Sequence, residues 1–543
     1  MLMQPLNDKT QGKKGHISET RSLVAPIKGW WVGSPLAAAP PNTAYLLENA
    51  FPELDFVRAR GGAQQFATGM SGKVTTLMPY TNGITVKLFA YNSGNIYDVT
   101  AGGAVGAPAV TGLNSVAIMS FVQYSGTGPQ TLVCANGVDP LQFYNGTTWS
   151  TAPAWTGLTG APISYVWEYN HRLYGIANGS TDVWYVAVDA IGGAATIFPM
   201  GPLLRYGGNL VAGGTWTQLT SNGIQYNWFV ISSEGEVVIF TGSFPGDPST
   251  WKQAGCYKVG RPLGQNCIQP AGADVALLTE DGIVALSQVL TLDQIALANQ
   301  AVTRNIAPAF RDAVIARVPH TGWQMLLWPL RSMAIINMPQ IGPPNTQFIS
   351  NARTGAWCRY TGWDAQCFAV HGLEPSGLYF GTSDGRVMQA ETGGQDDNLS
   401  YTATIFYSYT DLSGQDVSFG GIAPSSAAQS VARKHITMIR ARFQTNIISL
   451  TPTITVKVEY DTTIPPAPSA ATAPAVGSNW DSAKWDVDVW GAAPVSHSES
   501  WIPTYADASQ VAPVIQLSLK TVATPDARLT SVDVLFETGS IFG

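Results

Sequence analysis

From about residue 56 the chain is written as short apolar runs broken by tight turns, and one unit keeps returning. An apolar strand meets a Gly turn and gives way to a second apolar strand. Lys87-Leu88-Phe89-Ala90 turns at Asn92-Ser93-Gly94 into Ile96-Tyr97, and Leu132-Val133-Cys134 turns at Asn136-Gly137. Arg172-Leu173-Tyr174-Gly175-Ile176 turns at Asn178-Gly179, and Trp228-Phe229-Val230-Ile231 is followed by Glu234-Gly235. Val275-Ala276-Leu277-Leu278 precedes Asp281-Gly282, and Leu378-Tyr379-Phe380 precedes Asp384-Gly385. Asn-Gly and Asp-Gly are hairpin signals because both central positions must tolerate positive φ. The turn glycines stand 43, 42, 56, 47 and 103 residues apart. The last gap is about double and holds one more hairpin, Met325–Trp328 with Met333–Ile336, joined at 329–332.

A period of roughly 40–55 residues, at about four strands per unit, predicts a β-propeller. Blades must stack to bury both faces of each sheet, which gives the period a physical cause. The count is seven blades, with six as the alternative because the stretch 288–315 is irregular. Within it Thr291 to Val302, rich in Ala, Leu and Gln, reads as a helical insertion.

The ends read differently. Residues 1–55 predict an N-terminal arm and a short helix, with Asn42 as cap, Thr43 to Asn49 as the helix and Phe51-Pro52 as its stop. The arm has no core of its own, so it is expected to be ordered by another subunit or by the propeller rim. The platform is expected over 56–398. From 399 to 543 the pattern becomes a strict alternation, as in Ile454, Val456, Val458 and Tyr460, in Trp485, Val487 and Val489, and in Ile515, Leu517 and Leu519. That predicts half-buried antiparallel strands in a β-sandwich or barrel carrying long Pro-, Ala- and Ser-rich loops. The expected fold class is therefore all-β, a propeller plus a C-terminal β domain.

Composition narrows the function. Charged residues are 12% of the 543, about half the usual share. A surface so poor in charge is expected to be covered in part by neighbouring subunits. Net charge is −7, far from the basic balance of a protein that grips nucleic acid. Cys134, Cys256, Cys267, Cys358 and Cys367 show no CxxC spacing and read as buried reduced thiols. Met1 to Ser22 is polar, without the apolar region of a signal peptide, and no apolar run reaches membrane-spanning length.

Several segments resemble the nozzle proteins of short-tailed bacteriophages, a group that includes tail tubular protein B and packaged-DNA stabilisation proteins. They are Asn49-Ala50-Phe51-Pro52-Glu53 through Val57-Arg58-Ala59-Arg60-Gly61-Gly62, Phe244-Pro245-Gly246-Asp247-Pro248-Ser249-Thr250-Trp251, Thr354-Gly355-Ala356-Trp357-Cys358-Arg359-Tyr360-Thr361-Gly362-Trp363 and Trp485-Asp486-Val487-Asp488-Val489-Trp490. The resemblance implies a structural virion protein, assembled in the host cytoplasm and placed in the tail. It would form a homo-hexameric ring between tail adaptor or portal-side proteins and fibres or spikes. Duplex DNA would pass through and be retained at the tip until ejection at the host envelope. Loops such as 461–478 are the expected constriction.

No catalytic, cofactor or metal site is expected. Glu168, Glu234, Glu280, Asp364 and Glu374 each adjoin a turn or strand end and read as solvated loop charges, not as a glycosidase pair. Ser383-Asp384-Gly385 departs from the sialidase Asp-box in spacing and has no tryptophan after it. His16, His171, His320, His371, His435 and His497 do not approach one another at ligand spacing, and Asp396-Asp397-Asn398 reads as a domain-boundary turn rather than a Ca²⁺ site. Asn145 and Asn178 match the glycosylation sequon but sit in hairpin turns. Trp167, Trp184, Trp228 and Trp328 read as core; Trp480, Trp485, Trp490 and Trp501 read as subunit or glycan contacts. Two other classes stay open: a receptor-binding, glycan-adhesive tail propeller, and a polysaccharide-degrading tail enzyme.

Overall fold

The computed structural model describes residues 18–538 apart from 84, 221–222, 373–375, 413–432, 448–449 and 471–494. The chain is all-β, and seven antiparallel blades follow one another around a ring, six of them as small sheets and one as part of a larger sheet. Blade 1 is Val74–Asn82, Thr85–Asn92 and Asn95–Asp98; blade 2 is Ser120–Tyr124, Thr131–Ala135, Gln142–Tyr144 and Trp149–Ser150. Blade 3 runs Ile163–Tyr169, Arg172–Ala177, Asp182–Tyr185 and Thr196–Pro199, and blade 4 Leu210–Thr220, Gly223–Ser232, Glu236–Thr241 and Lys252–Lys258. Blade 5 has three strands, Ile268–Ala271, Asp274–Thr279 and Gly282–Ala285. Blade 6 is Gln324–Trp328, Met333–Asn337, Thr346–Asn351 and Trp357–Thr361. Blade 7 is Cys367–His371, Gly377–Gly381 and Val387–Ala390, completed by Ala63–Thr68 from the start of the chain.

From blade 2 onward the first strand of each blade packs against that of the next, and that of blade 7 returns to blade 1. Between blades 1 and 2 the Met119 N–H donates to Thr76 Oγ1 at 3.0 Å. The ring is thus closed by mixing the two ends of the propeller segment in blade 7. Burial on both faces follows: Trp228 of blade 4 lies 5.9 Å from Trp167 of blade 3, centroid to centroid, and both are inaccessible. Blades 2 and 5 stand opposite each other, yet the Gln265 side chain donates to the Ile118 carbonyl at 3.1 Å. The propeller's own axis is therefore bridged.

The recurring turn of the sequence is the connection between second and third strands in blades 1 to 5 and 7. Blade 6 turns there through Met338 to Asn345, with Pro343-Pro344 and no Asn-Gly, so it interrupts the period. The insertion after blade 5 is helical at Gln294–Gln300 as expected, and continues through Ala307–Arg317, beyond the predicted limit.

The N-terminal expectation needs correction. No helix forms over 43–49; Ala44–Glu48 is a strand between Trp357–Thr361 and Tyr401–Tyr407. Asn42 and Asn49 bracket it at φ 60° and 52°, so they are turn residues and not a helix cap. The strand buries both faces, which removes the alternation that would have announced it. It also fuses the two halves of the molecule. Blade 6, Ala44–Glu48, Tyr401–Tyr407, Val511–Leu519 and Thr453–Val458 make one continuous eight-stranded sheet.

A second sheet packs on its distal part. Its path is Ala50–Pro52, Val57–Ala59, Ala527–Thr538, Lys434–Thr445 and Val495–Ser498, with Ser18–Val24 and Ile502–Ala508 alongside. Ile436, Ile439, Phe443, Val532 and Phe536 of this sheet share a core with Ala403, Ile405, Ile515 and Leu517 of the other, a β-sandwich. The described part of the arm is ordered within the chain: Ser18–Val24 pairs with Ala527–Thr538, and Trp30 docks on blade 6 of the propeller, its backbone N–H donating to the Trp357 carbonyl at 2.7 Å and its ring 5.4 Å from that of Phe348. Val511–Leu519 is buried almost throughout and not half-buried, because Tyr409, Tyr460 and the segment 461–465 cover its outer face. Tyr409 Oη donates to the Asp461 carbonyl at 2.8 Å, and Gln516 Nε2 to that of Pro465 at 3.2 Å. The base of the expected constriction loop is thus pinned to its own sandwich; 471–478 and the Trp485–Trp490 alternation lie outside the described residues.

Candidate functional site at the propeller–sandwich junction

The segment Arg58-Ala59-Arg60-Gly61-Gly62 leaves the sandwich and enters blade 7. Arg60 is fully buried, and its fork has no unused edge. Nε donates to Asn49 Oδ1 at 2.8 Å, Nη1 to the Gly61 carbonyl and to Asp396 Oδ1, and Nη2 to the Thr361 carbonyl and, at 2.5 Å, to Asp396 Oδ2. The plane stacks on Tyr401 at 4.1 Å and Trp363 at 4.8 Å, while Tyr401 Oη donates to the Arg60 carbonyl. A planar, always charged group with five donors suits this place in a way Lys would not. One side chain ties together the Asn49 side chain, the end of blade 6 and the chain leaving blade 7.

Arg58 makes a second buried contact, from Nη1 to Glu391 Oε2 at 3.0 Å, and reaches Glu53 through Nε at 3.2 Å. Burial alone would lower its pKa, but Glu391, Tyr360 and Glu53 outweigh that and raise it. Glu391 is the mirror case: burial would raise its carboxyl, and Arg58 and the Gly61 N–H bring it below the ordinary value. The two glycines are required by space. A Cβ on Gly62 would stand 2.1 Å from the Gln395 carbonyl oxygen, and one on Gly61 2.6 Å from the Glu391 backbone. Beside them, Arg359 pairs with Glu48 where blade 6 meets the sandwich.

Two of the segments that carry the resemblance, 49–62 and 354–363, therefore meet at one hub. The third, 244–251, is a loop of blade 4 in which Asp247 accepts from Ser249, Thr250 and Ser243, and Trp251 stacks on Phe240 at 5.1 Å. Spacing could not reveal the hub, since Arg60 and Asp396 are 336 positions apart.

The candidates weighed for chemistry are dispersed. Glu168 is in blade 3, Glu234 is held by Arg261 after blade 4, Glu280 is in the blade 5 turn, and Asp364 accepts from Ser383 and Gln366 near blade 7. Glu374 lies outside the described residues. Asp384 of the Ser383 turn pairs with Arg386, which also holds Asp397. Asp396 and Asp397 are thus taken by arginines, and among the described residues no cluster of His, Cys, Asp and Glu could hold a metal ion. His371 is buried, which lowers its pKa, and His435 lies 2.7 Å from Asp507. His16 lies outside the described residues.

The thiols of Cys134, Cys267, Cys358 and Cys367 are buried, and burial pushes Cys267 and Cys367 up to about 12. Asn145 Oδ1 accepts the Thr147 and Thr148 N–H groups, and Asn178 donates to the Gly137 carbonyl, so both sequon asparagines shape turns. Trp167, Trp184, Trp228 and Trp328 are core, and Trp501 is half-buried beneath Arg440 at 4.4 Å. Trp480, Trp485 and Trp490 lie outside the described residues.

No known family profile matches the chain, and no curated protein matches it. Among solved structures it is similar to the WD40 β-propeller domain of Doa1, at TM-score 0.39 and 11% identity, over 61% of this chain and 97% of that one. A likeness of that size carries no argument, so the blade count rests on the sheet order.

Proposed function

We propose that the chain is the subunit of a distal tail nozzle, a structural virion protein that surrounds exiting DNA and does no chemistry on it. The observation that carries the reading is the Arg60 hub. It is built from two of the segments that resemble phage nozzle proteins, and it locks propeller to sandwich as one unit. A subunit that must transmit load between neighbours needs that rigidity more than it needs an open cleft. The bridged propeller axis points the same way: a duplex, whose major groove alone is about 12 Å wide, could pass only between copies. The proposed assembly is a ring of six, with the sandwich loops turned towards the conduit.

Imaging of particles that carry this protein tests the proposal. Six copies around an axial channel are expected, and copies radiating from the tail periphery would overturn it in favour of an adhesive propeller.

A further inference from the structure

Two clefts of about 500 and 430 Å³ lie side by side on the flank of blades 2, 3 and 4 and share one lining residue, Asp189. The first is lined by Phe143 and Pro153 together with Thr131, Thr148 and Ser150. The second is made by the turn Asn170-His171-Arg172 of blade 3 and by Ser243-Phe244 of blade 4. Arg172 is the one Lys or Arg among the described lining residues of both. Its guanidinium lies 4.0 Å over the Phe244 ring, and among the described residues only Nη1 is engaged, donating to the Val186 carbonyl at 3.1 Å.

The backbone here is held in a costly shape. Asn170, His171 and Asp189 have φ of 51°, 57° and 56°, a left-handed region that suits glycine. His171 Nδ1 lies 3.7 Å from Asp189 Oδ1, so the three strained residues converge on the shared wall of the two clefts. Asn170 and His171 are the whole turn between the first and second strands of blade 3, a two-residue connection with positive φ at both positions that Asn-Gly would form with less strain. The turn of blade 3 instead presents an amide and an imidazole.

We propose that this double cleft is a binding site for a carboxylated oligosaccharide, one that carries a uronic or sialic acid. Apolar walls receive sugar C–H faces, and hydroxyls, amides and the Asp189 carboxylate receive sugar hydroxyls. The preoriented guanidinium matches one carboxylate in two-pronged fashion. A single cation flanked by Asp189 disfavours a polyanion, which separates this site from one for nucleic acid or sulfated sugar. The inference does not depend on the nozzle assignment, and either can fail alone.

The test titrates the full-length protein with a hyaluronan hexasaccharide, an oligogalacturonate and an oligosialic acid, followed by saturation-transfer NMR. Maltohexaose, a heparin hexasaccharide and oligothymidylate serve as comparisons. At least one carboxylated oligomer is expected to bind at about 1 mM or tighter, with maltohexaose at least about tenfold weaker. Arg172→Gln should lose about tenfold or more. His171→Gly keeps the left-handed turn without its strain, so it should weaken binding while the thermal midpoint holds or rises, which a merely structural role would not produce. Failure of all three carboxylated oligomers to bind overturns the site. So does heparin, maltohexaose or oligothymidylate binding as well as they do, or full affinity in a folded Arg172→Gln or His171→Gly protein.

Discussion

Arg60 lies over the indole of Trp363, 4.8 Å from its centroid, while its fork holds Asp396 on the far side of the junction. The charge is fully buried, so the pair is sensitive to loss of either member. Removing one partner of a buried ion pair leaves the other uncompensated and costs about 3–5 kcal/mol. Arg60→Met is expected to destabilise the protein by that order, measured by denaturant unfolding. Loss of less than about 1 kcal/mol would show the hub to be incidental. Gly62→Ala should be comparably harmful, because its methyl would meet the Gln395 carbonyl, which belongs to backbone and cannot swing aside.

The Asp247 loop gives a pH dependence with a defined sign. Hydrogen bonds from Ser249, Thr250 and Ser243 hold this exposed carboxyl down to about 2, from an unfolded value of 3.8. A depressed carboxyl stabilises the loop above its unfolded value and ceases to do so as pH falls through the folded one. Loop order should thus be lost between about pH 4 and pH 2. Trp251 stacks on Phe240 at the end of the loop, so tryptophan emission reports it. Asp247→Asn should remove that step in an otherwise unchanged acid titration; a step that persists would assign it to another group.

Thiol reactivity separates one cysteine from four. Cys134, Cys267, Cys358 and Cys367 are buried, and burial raises each thiol pKa; Cys256 is raised too but is partly accessible. A thiol-specific reagent at neutral pH should modify Cys256 alone in the native protein and all five after denaturation. Modification of Cys358 before unfolding would be incompatible with the packing at the Arg58–Glu391 pair, to whose field its thiol is exposed.

The blades were legible in the sequence and the junction was not, and the reason is physical. A second-to-third-strand turn is local: Gly94, Gly137, Gly179 and Gly235 adopt φ between 67° and 82°, a need that selects Gly wherever the fold repeats. The strand Ala44–Glu48 carries no such mark. Its Tyr45-Leu46-Leu47 core reads equally well as helix, and only neighbours at 357–361 and 401–407 decide for strand. The Arg60 hub draws on residues 49, 361, 363, 396 and 401, so composition and spacing could register it only as a conspicuous Arg-Gly-Gly. The cleft at Asn170-His171 was likewise invisible, because no glycine marks the positive φ that both residues adopt.

Contact with DNA is where the charge arrangement says most. The chain has 29 basic and 36 acidic side chains, and many of the basic ones in its sheets are already matched. Arg440 and Arg442 both lean on Asp533, Arg528 on Asp526, Lys457 on Asp461, Arg386 on Asp384 and Asp397, and Lys87 on Asp98. A phosphate that approached such an arginine would have to compete with a carboxylate already in place. Grip on duplex DNA comes from unmatched cations, and each one adds about one unit to the salt dependence of binding. A conduit gains from their absence, since duplex must slide past without pausing. The purified protein is therefore expected to bind duplex DNA weakly even at low ionic strength, measured by fluorescence anisotropy across a salt series. Tight binding with a slope that implies on the order of five or more phosphate contacts would mean that unmatched cations gather on one surface of the protein, and in the proposed ring DNA would then be retained by charge and not by a constriction of loops.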